Sequence, residues 1–94
     1  MEEDFSDLLR GYRIEIDKID EDMVGLLNKR AVIVSKIKKL KERNNMPLYD
    51  AKREEDLINN IVKYNKGPLF NDNIIQIFES ILRNVQILDK DETL

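Results

Sequence analysis

The feature that most constrains the fold is an apolar pattern that runs from about Ser6 to Arg43 without a proline. Apolar residues recur there in alternating steps of three and four, the spacing of one helix face. A helix of this length extends over roughly 55 Å, far more than the diameter of a compact domain of 94 residues. The rest of the chain is too short to cover it, so we expect a second chain to pack along this face, as in a coiled-coil seam. The series comprises Leu9, Tyr12, Ile16, Ile19, Met23, Leu26, Ile33, Ile37 and Leu40.

Two turn signals divide the remainder of the chain. They are Asn44-Asn45-Met46-Pro47 and Lys66-Gly67-Pro68, the second read as a glycine helix cap followed by a proline. Between them, Asp50 is a good N-cap, and an apolar stripe follows it. The two stripes after the turns comprise Leu57, Ile58, Ile61 and Val62, then Ile74, Ile77, Phe78, Ile81, Val85 and Leu88. We therefore predict a single all-α domain over residues 1–94, with helices at about 6–43, 50–65 and 72–89.

The composition excludes several classes of function. The chain has no histidine and no cysteine, which rules out disulfides, thiolate or imidazole metal sites and the usual nucleophile–base pairs. We expect no metal and no cofactor. The start MEEDFSDLL lacks the basic and apolar regions of a signal peptide, and no apolar run approaches a membrane span of about 18 residues. A cytoplasmic protein without membrane partners is expected, and the net charge of −3 argues against a general nucleic-acid partner.

Charged residues occur where apolar stripes should continue. Arg30 occupies a position of the long seam, and Lys41 returns to within about 20° of its azimuth three turns later. Burying two unpaired cations is costly, so we expect an anionic partner in the protein or in a ligand. Glu54 extends the inward stripe of the second helix. In the alternative interpretation, residues 36–43 form a solvated basic face and Glu54 only complements a helix dipole.

Arg13 is a further candidate, with a geometric condition attached. It precedes Arg30 by about 25 Å along a straight helix, so one chain cannot bring both arginines to one small ligand. If both serve one site, Arg13 has to come from the partner in an antiparallel dimer.

Taken together, these residues resemble the all-helical chorismate mutases over nearly the whole chain, and the last helix is similar to mutase domains that are sometimes fused to another shikimate-pathway enzyme. The resemblance implies an intertwined homodimer of three-helix chains that isomerises chorismate to prephenate without metal or cofactor. Its two equivalent sites each use one arginine of the neighbouring chain. The motifs are Leu9–Arg13, Ile16–Asp20, Leu26–Ala31, Ile37–Lys41, Pro47–Glu54, Asn65–Leu69 and Ile77-Phe78.

The resemblance also implies roles for four catalytic residues. Arg13 matches the donated arginine that grips one substrate carboxylate, and Arg30 matches the arginine that binds a carboxylate from within the chain. Lys41 matches the lysine that reaches a carboxylate and the breaking ether oxygen. Glu54 matches the carboxylate that accepts a hydrogen bond from the ring hydroxyl.

Four further positions correspond to substrate-binding residues, and two of them depart from the family. Asp50 matches the residue beside the ring hydroxyl, with its backbone amide as a contact, and Arg53 matches an arginine that lines the pocket. Val85 stands where a small polar residue is usual. Asp89 stands where Gln or Glu donates to the ether oxygen, and an aspartate is ionised by default at neutral pH. Gln86, one turn earlier, is an alternative donor.

These departures leave other functions open. An isochorismate–pyruvate lyase would use the same helical dimer and a similar cationic pocket, but would release salicylate and pyruvate. A non-catalytic helical dimer would act as an effector-binding regulatory domain or as a coiled-coil adaptor. Whether the chain acts alone or as a domain of a fusion also stays open.

Overall fold

The computed structural model describes the backbone of residues 4–91 and the side chains of residues 4–84. It contains three α-helices, α1 (Phe5–Arg43), α2 (Ala51–Tyr64) and α3 (Asn71–Asp91), and no strand within residues 4–91. The all-α fold with one very long helix is therefore confirmed, and each helix begins and ends within two residues of its predicted bounds. Backbone contacts divide the chain into two units, residues 1–36 and residues 37–94. The single domain over residues 1–94 stays a prediction.

The first unit is helical from Phe5 onward. Asp4 begins the helix, because its carboxylate accepts from the Ser6 amide at 3.0 Å and its carbonyl from the Leu8 amide at 3.1 Å. The predicted seam is open to solvent in this chain. Its central side chains are at least half exposed: Ile16 54%, Ile19 58%, Met23 50% and Leu26 63%.

The second unit contains the apolar contact between α2 and α3. Ile61 on α2 is 7% exposed and is the buried apolar residue of the described chain. The other members of the α2 stripe and most of the described α3 stripe are half-buried: Leu57, Ile58 and Val62 on α2, and Ile74, Phe78 and Ile81 on α3. The stripes that the sequence predicted for these two helices therefore face inward.

The connection between α2 and α3 is organised by one asparagine. The Asn65 side-chain amide donates to the Leu69 carbonyl at 2.9 Å and to Asn71 Oδ1 at 2.8 Å, and Asn65 Oδ1 accepts from the Gly67 amide at 3.1 Å. Asn65 is also the C-cap of α2. The prediction that Gly67 caps this helix is therefore wrong. Gly67 instead supplies a positive φ of 78° within the connection, a conformation that costs glycine little.

The described helices include none that is long and apolar enough to cross a membrane. Within the same residues, no cluster of three or more His, Cys, Asp or Glu side chains is arranged to hold a metal ion.

Candidate functional site

Lys41 lies in the last turn of α1, within the second unit, and hydrogen bonds hold both its side chain and its backbone carbonyl. Its side chain is half-buried, and its ammonium donates to the Leu48 carbonyl at 3.3 Å. Its own carbonyl accepts from the Met46 amide at 2.9 Å. An ammonium carries three N–H donors, so the contact to Leu48 leaves two donors for a ligand.

Asp50 begins α2 as its N-cap. It has an extended backbone, with φ −136° and ψ 97°, and its side chain accepts from the Arg53 amide at 3.0 Å. Its carbonyl accepts from the Glu54 amide at 3.1 Å. The predicted cap is therefore confirmed: its side chain satisfies one amide of the first turn that has no partner inside the helix, and its carbonyl accepts the first bond of the helix.

Arg53 and Glu54 lie in the first turn of α2 but differ in exposure. Glu54 is half-buried, whereas Arg53 is exposed. A carboxylate at this end of a helix is stabilised by the helix dipole, which agrees with the structural interpretation of Glu54. Its partial burial on the inward stripe also agrees with a carboxylate that accepts from a ligand. The second unit thus brings Lys41, Asp50, Arg53 and Glu54 to the junction between α1 and α2.

The basic run at the end of α1 does not form a uniform solvated face. Lys36, Lys39 and Arg43 are exposed, but Lys38 and Lys41 are half-buried. The alternative interpretation of the run therefore describes only its exposed members.

Arg30 and Arg13 both belong to the first unit. Arg30 is half-buried, and its Nη1 atom is buried without a hydrogen-bond partner among the described residues. A buried donor without an acceptor costs free energy, and a carboxylate is the acceptor that suits a guanidinium best. Arg13 is exposed on the same helix, about 25 Å before Arg30 at the rise of an α-helix. One chain therefore cannot place both guanidinium groups on one small ligand.

The model of the family described as chorismate mutase type II matches residues 12–88. The chain belongs to this family. The matched range contains seven of the eight predicted site residues, and Asp89 lies directly beyond it.

Curated relatives agree with this assignment. The chain is 33% identical over 86 residues to a bifunctional chorismate mutase/prephenate dehydratase of Aquifex aeolicus, in a match that covers 87% of this chain and 24% of the relative. A protein of the same description from Buchnera aphidicola is 36% identical over 91 residues, covering 90% of this chain and 23% of the relative. The chain thus spans about a quarter of the length of these relatives.

A solved structure shows the same fold. Form II of the chorismate mutase from Thermus thermophilus matches with a TM-score of 0.83 and 28% identity, covering 87% of this chain and 93% of that one. The three-helix arrangement is therefore the fold of a chorismate mutase.

Two of the predicted positions lie near the end of α3. Val85 and Asp89 fall within the bounds of this helix, but their side chains, like that of Gln86, lie outside the described residues. Their roles stay predictions, as do the roles of the other six residues toward a substrate.

Sequence reasoning missed the contact that restrains Lys41. The Leu48 carbonyl contributes it through the backbone, which no side-chain pattern reports. The available signal was Asn44-Asn45-Met46-Pro47, because asparagine is among the few residues other than glycine that adopt positive φ values readily. Asn45 has a φ of 56°.

Proposed function

We propose that this chain isomerises chorismate to prephenate, at two equivalent sites of a homodimer. Family membership supports the reaction. The structural observation that carries the proposal is the half-buried Arg30, whose Nη1 atom has no partner among the described residues. A substrate carboxylate would supply its missing acceptor.

The reaction requires orientation and charge from the protein rather than acid, base or nucleophile. In the pericyclic rearrangement the ether C–O bond breaks while a new C–C bond forms, with no proton transfer and no covalent intermediate. Arg30 and Arg13 of the partner subunit would hold the two carboxylates so that the enolpyruvyl arm lies over the ring, a near-attack geometry. The planar fork of arginine suits carboxylates better than the point charge of lysine.

Lys41 would stabilise the transition state. Negative charge grows on the ether oxygen as the C–O bond breaks, so a donor at this oxygen binds the transition state more tightly than the substrate. The contact with Leu48 restrains the Lys41 ammonium before substrate arrives. A preorganised donor of this kind contributes about 3–4 kcal/mol to catalysis.

The beginning of α2 would bind the ring hydroxyl. Glu54, half-buried in the first turn, would accept a hydrogen bond from this hydroxyl, and the Asp50 backbone amide would contact the same group. Arg53 would line the pocket. Because the Asp50 carboxylate already caps the helix, we expect it to have a structural role, separate from the contact of its backbone amide with the substrate.

The dimer supplies both stability and the second arginine. Ile16, Ile19, Met23 and Leu26 expose half or more of their surface in the single chain, and a continuous apolar stripe of this kind is the seam along which helices pair. An antiparallel pairing would carry Arg13 of the partner subunit to the site of Arg30. A cytoplasmic location, expected from the sequence, stays a prediction.

A second donor to the ether oxygen, in addition to Lys41, is assigned to position 89 only because this position matches the donor of the family. An ionised Asp89 would repel the developing charge, whereas a glutamine would donate a hydrogen bond. Asp89→Gln should therefore raise kcat at neutral pH. If it does not, and Gln86→Ala lowers kcat instead, the role belongs to Gln86.

Position 85 is a separate case. Valine cannot make the hydrogen bond that a small polar residue would offer to the substrate there, so Val85→Ser should lower KM.

The decisive experiment follows the ultraviolet absorbance of chorismate with purified full chain and identifies the product. We expect prephenate, with Arg30→Ala as an inactive folded control. Release of salicylate and pyruvate from isochorismate would assign the lyase activity instead. Binding of a transition-state analogue without turnover would indicate a regulatory domain, and no binding at all an adaptor.

A further inference from the structure

The turn that ends α1 is closed by two backbone hydrogen bonds. The Met46 amide donates to the Lys41 carbonyl at 2.9 Å, and the Asn45 amide donates to the Glu42 carbonyl at 3.3 Å. These two bonds form the Schellman end of a helix, in which one residue takes a left-handed conformation. That residue is Asn45, with φ of 56°.

The same turn returns the chain across the side chain of Lys41. Leu48, three residues after Asn45, accepts from the Lys41 ammonium at 3.3 Å. Pro47 stiffens the intervening segment, because its ring fixes its own φ and disfavours a helical conformation at Met46. Lys41 is thus restrained at its carbonyl by the start of the turn and at its ammonium by the end of the turn.

We propose that Asn45 is a positioning residue for the isomerisation, acting through Lys41. By taking the left-handed conformation, Asn45 sets the turn that holds the Leu48 carbonyl against the ammonium and so directs the two remaining N–H donors. The proposal rests on the proposed function, in which Lys41 meets the ether oxygen. A lysine side chain is flexible, and a donor that is already oriented requires no reorganisation when charge develops on the substrate.

The proposal concerns the backbone conformation at position 45 rather than its side-chain chemistry. Glycine adopts positive φ at no steric cost, whereas alanine pays a penalty because its Cβ approaches the following carbonyl oxygen. The proposal therefore predicts that glycine preserves catalysis at this position and alanine does not, although alanine is closer to asparagine in size.

The experiment compares Asn45→Ala, Asn45→Gly and Asn44→Ala in the full chain, with chorismate as substrate. Asn44 is the matched control, since its side chain donates to the Leu40 carbonyl at 2.8 Å but its φ is not positive. Its loss weakens the same helix end without changing the handedness of the turn. The folded fraction of each variant is measured by circular dichroism, and kcat is expressed per folded chain.

We expect Asn45→Ala to lower kcat about fivefold, the scale set by the left-handed penalty of alanine. KM should change less than about twofold, because Lys41 acts mainly in the transition state. The kcat values of Asn45→Gly and Asn44→Ala should both stay within about twofold of the wild-type value. Equal kcat values for Asn45→Ala and Asn45→Gly would overturn the proposal, and so would an equal loss in Asn44→Ala.

A second measurement separates positioning from a general structural effect. In a Lys41→Ala background, Asn45→Ala should cause no further loss of kcat, because its target is gone; a further fivefold loss would contradict the proposal. If Asn45→Ala does not fold, Asn45→Ser replaces it in both measurements, since serine is not enriched at positive φ either. Failure of the proposed function is distinguishable, because the unchanged chain would then not convert chorismate at all.

Discussion

The two units of the chain bury their apolar side chains to different extents. In the second unit, α2 and α3 pack together, Ile61 is 7% exposed, and both inward stripes are covered at least in part. In the first unit the apolar stripe is as regular in sequence, yet Ile19 is 58% and Leu26 63% exposed. A helix owes most of its stability to packing of its apolar face. The second unit thus contains a packing partner for each of its apolar stripes, whereas the apolar stripe of the first unit is exposed, which is why we propose a second chain against it.

The predicted site residues also differ between the two units. The second unit orients Lys41 and Asp50 by hydrogen bonds within the chain. The first unit offers Arg30 with a buried nitrogen that has no partner among the described residues, and an exposed Arg13. Local backbone structure thus orients the predicted site residues of the second unit, whereas a second chain and a ligand are the proposed partners of the two arginines of the first unit.

The largest effect is expected from the two arginines of the first unit. Arg13→Ala and Arg30→Ala should each lower kcat/KM about 100-fold to 1,000-fold, the scale of a lost transition-state donor, while both stay folded and dimeric. Mixing the two variants should restore about a quarter of the unchanged activity, because half of the dimers are mixed and each mixed dimer of two-fold symmetry has one intact site. Steady-state assays after verified subunit exchange measure this. Absence of recovery would show that Arg13 does not act across subunits.

The next effect concerns the exposed seam. Ile19→Lys should raise the dimer dissociation constant about 100-fold or more, since a charge buried in a seam without a partner is costly. Ile14→Lys is the matched control, because Ile14 is 61% exposed but faces the opposite side of the helix. Sedimentation equilibrium distinguishes the two. A folded, compact monomer of the unchanged chain at micromolar concentration would refute the dimer and the shared site together.

A smaller effect tests the packing of the second unit. Ile61→Ala should lower the free energy of unfolding by about 2–4 kcal/mol, through lost burial and the cavity that remains. Tyr64→Ala on the same helix, where the side chain is 73% exposed, should change it by less than about 0.5 kcal/mol. Urea titration at one fixed protein concentration measures both. Similar losses for the two variants would mean that Tyr64 is covered in the assembled protein.

The smallest effect concerns a glycine of the first unit. Gly25→Ala should stabilise the protein by about 1 kcal/mol, the difference in helix propensity, because an added Cβ meets nothing within 4 Å in this chain. Gly11→Ala is the control, with the same open surroundings. Thermal unfolding measures both changes. Destabilisation at Gly25 alone would place the partner helix within reach of that Cβ.

The amino-acid pattern alone predicted the three helices, the inward faces of α2 and α3, and the cap at Asp50. These features depend on local rules: the recurrence of apolar residues along a helix, and the ability of an aspartate to accept from the amides of the first turn. The same local rules identified Arg30 and Lys41 as cations placed where apolar residues were expected.

The hydrogen bond that holds Lys41 and the residue that ends α2 became clear only from the folded chain. The Lys41 ammonium donates to the Leu48 carbonyl across a turn in which Asn45 has a left-handed conformation. Asn65, not Gly67, caps α2 through its backbone amide, and its side chain bonds to Leu69 and Asn71 in the connection that follows. Both outcomes depend on main-chain atoms and on residues several positions apart, which side-chain periodicity does not report. The long apolar face of α1 remained an open question at both levels, because periodicity predicts that a helix face is apolar but not what packs against it.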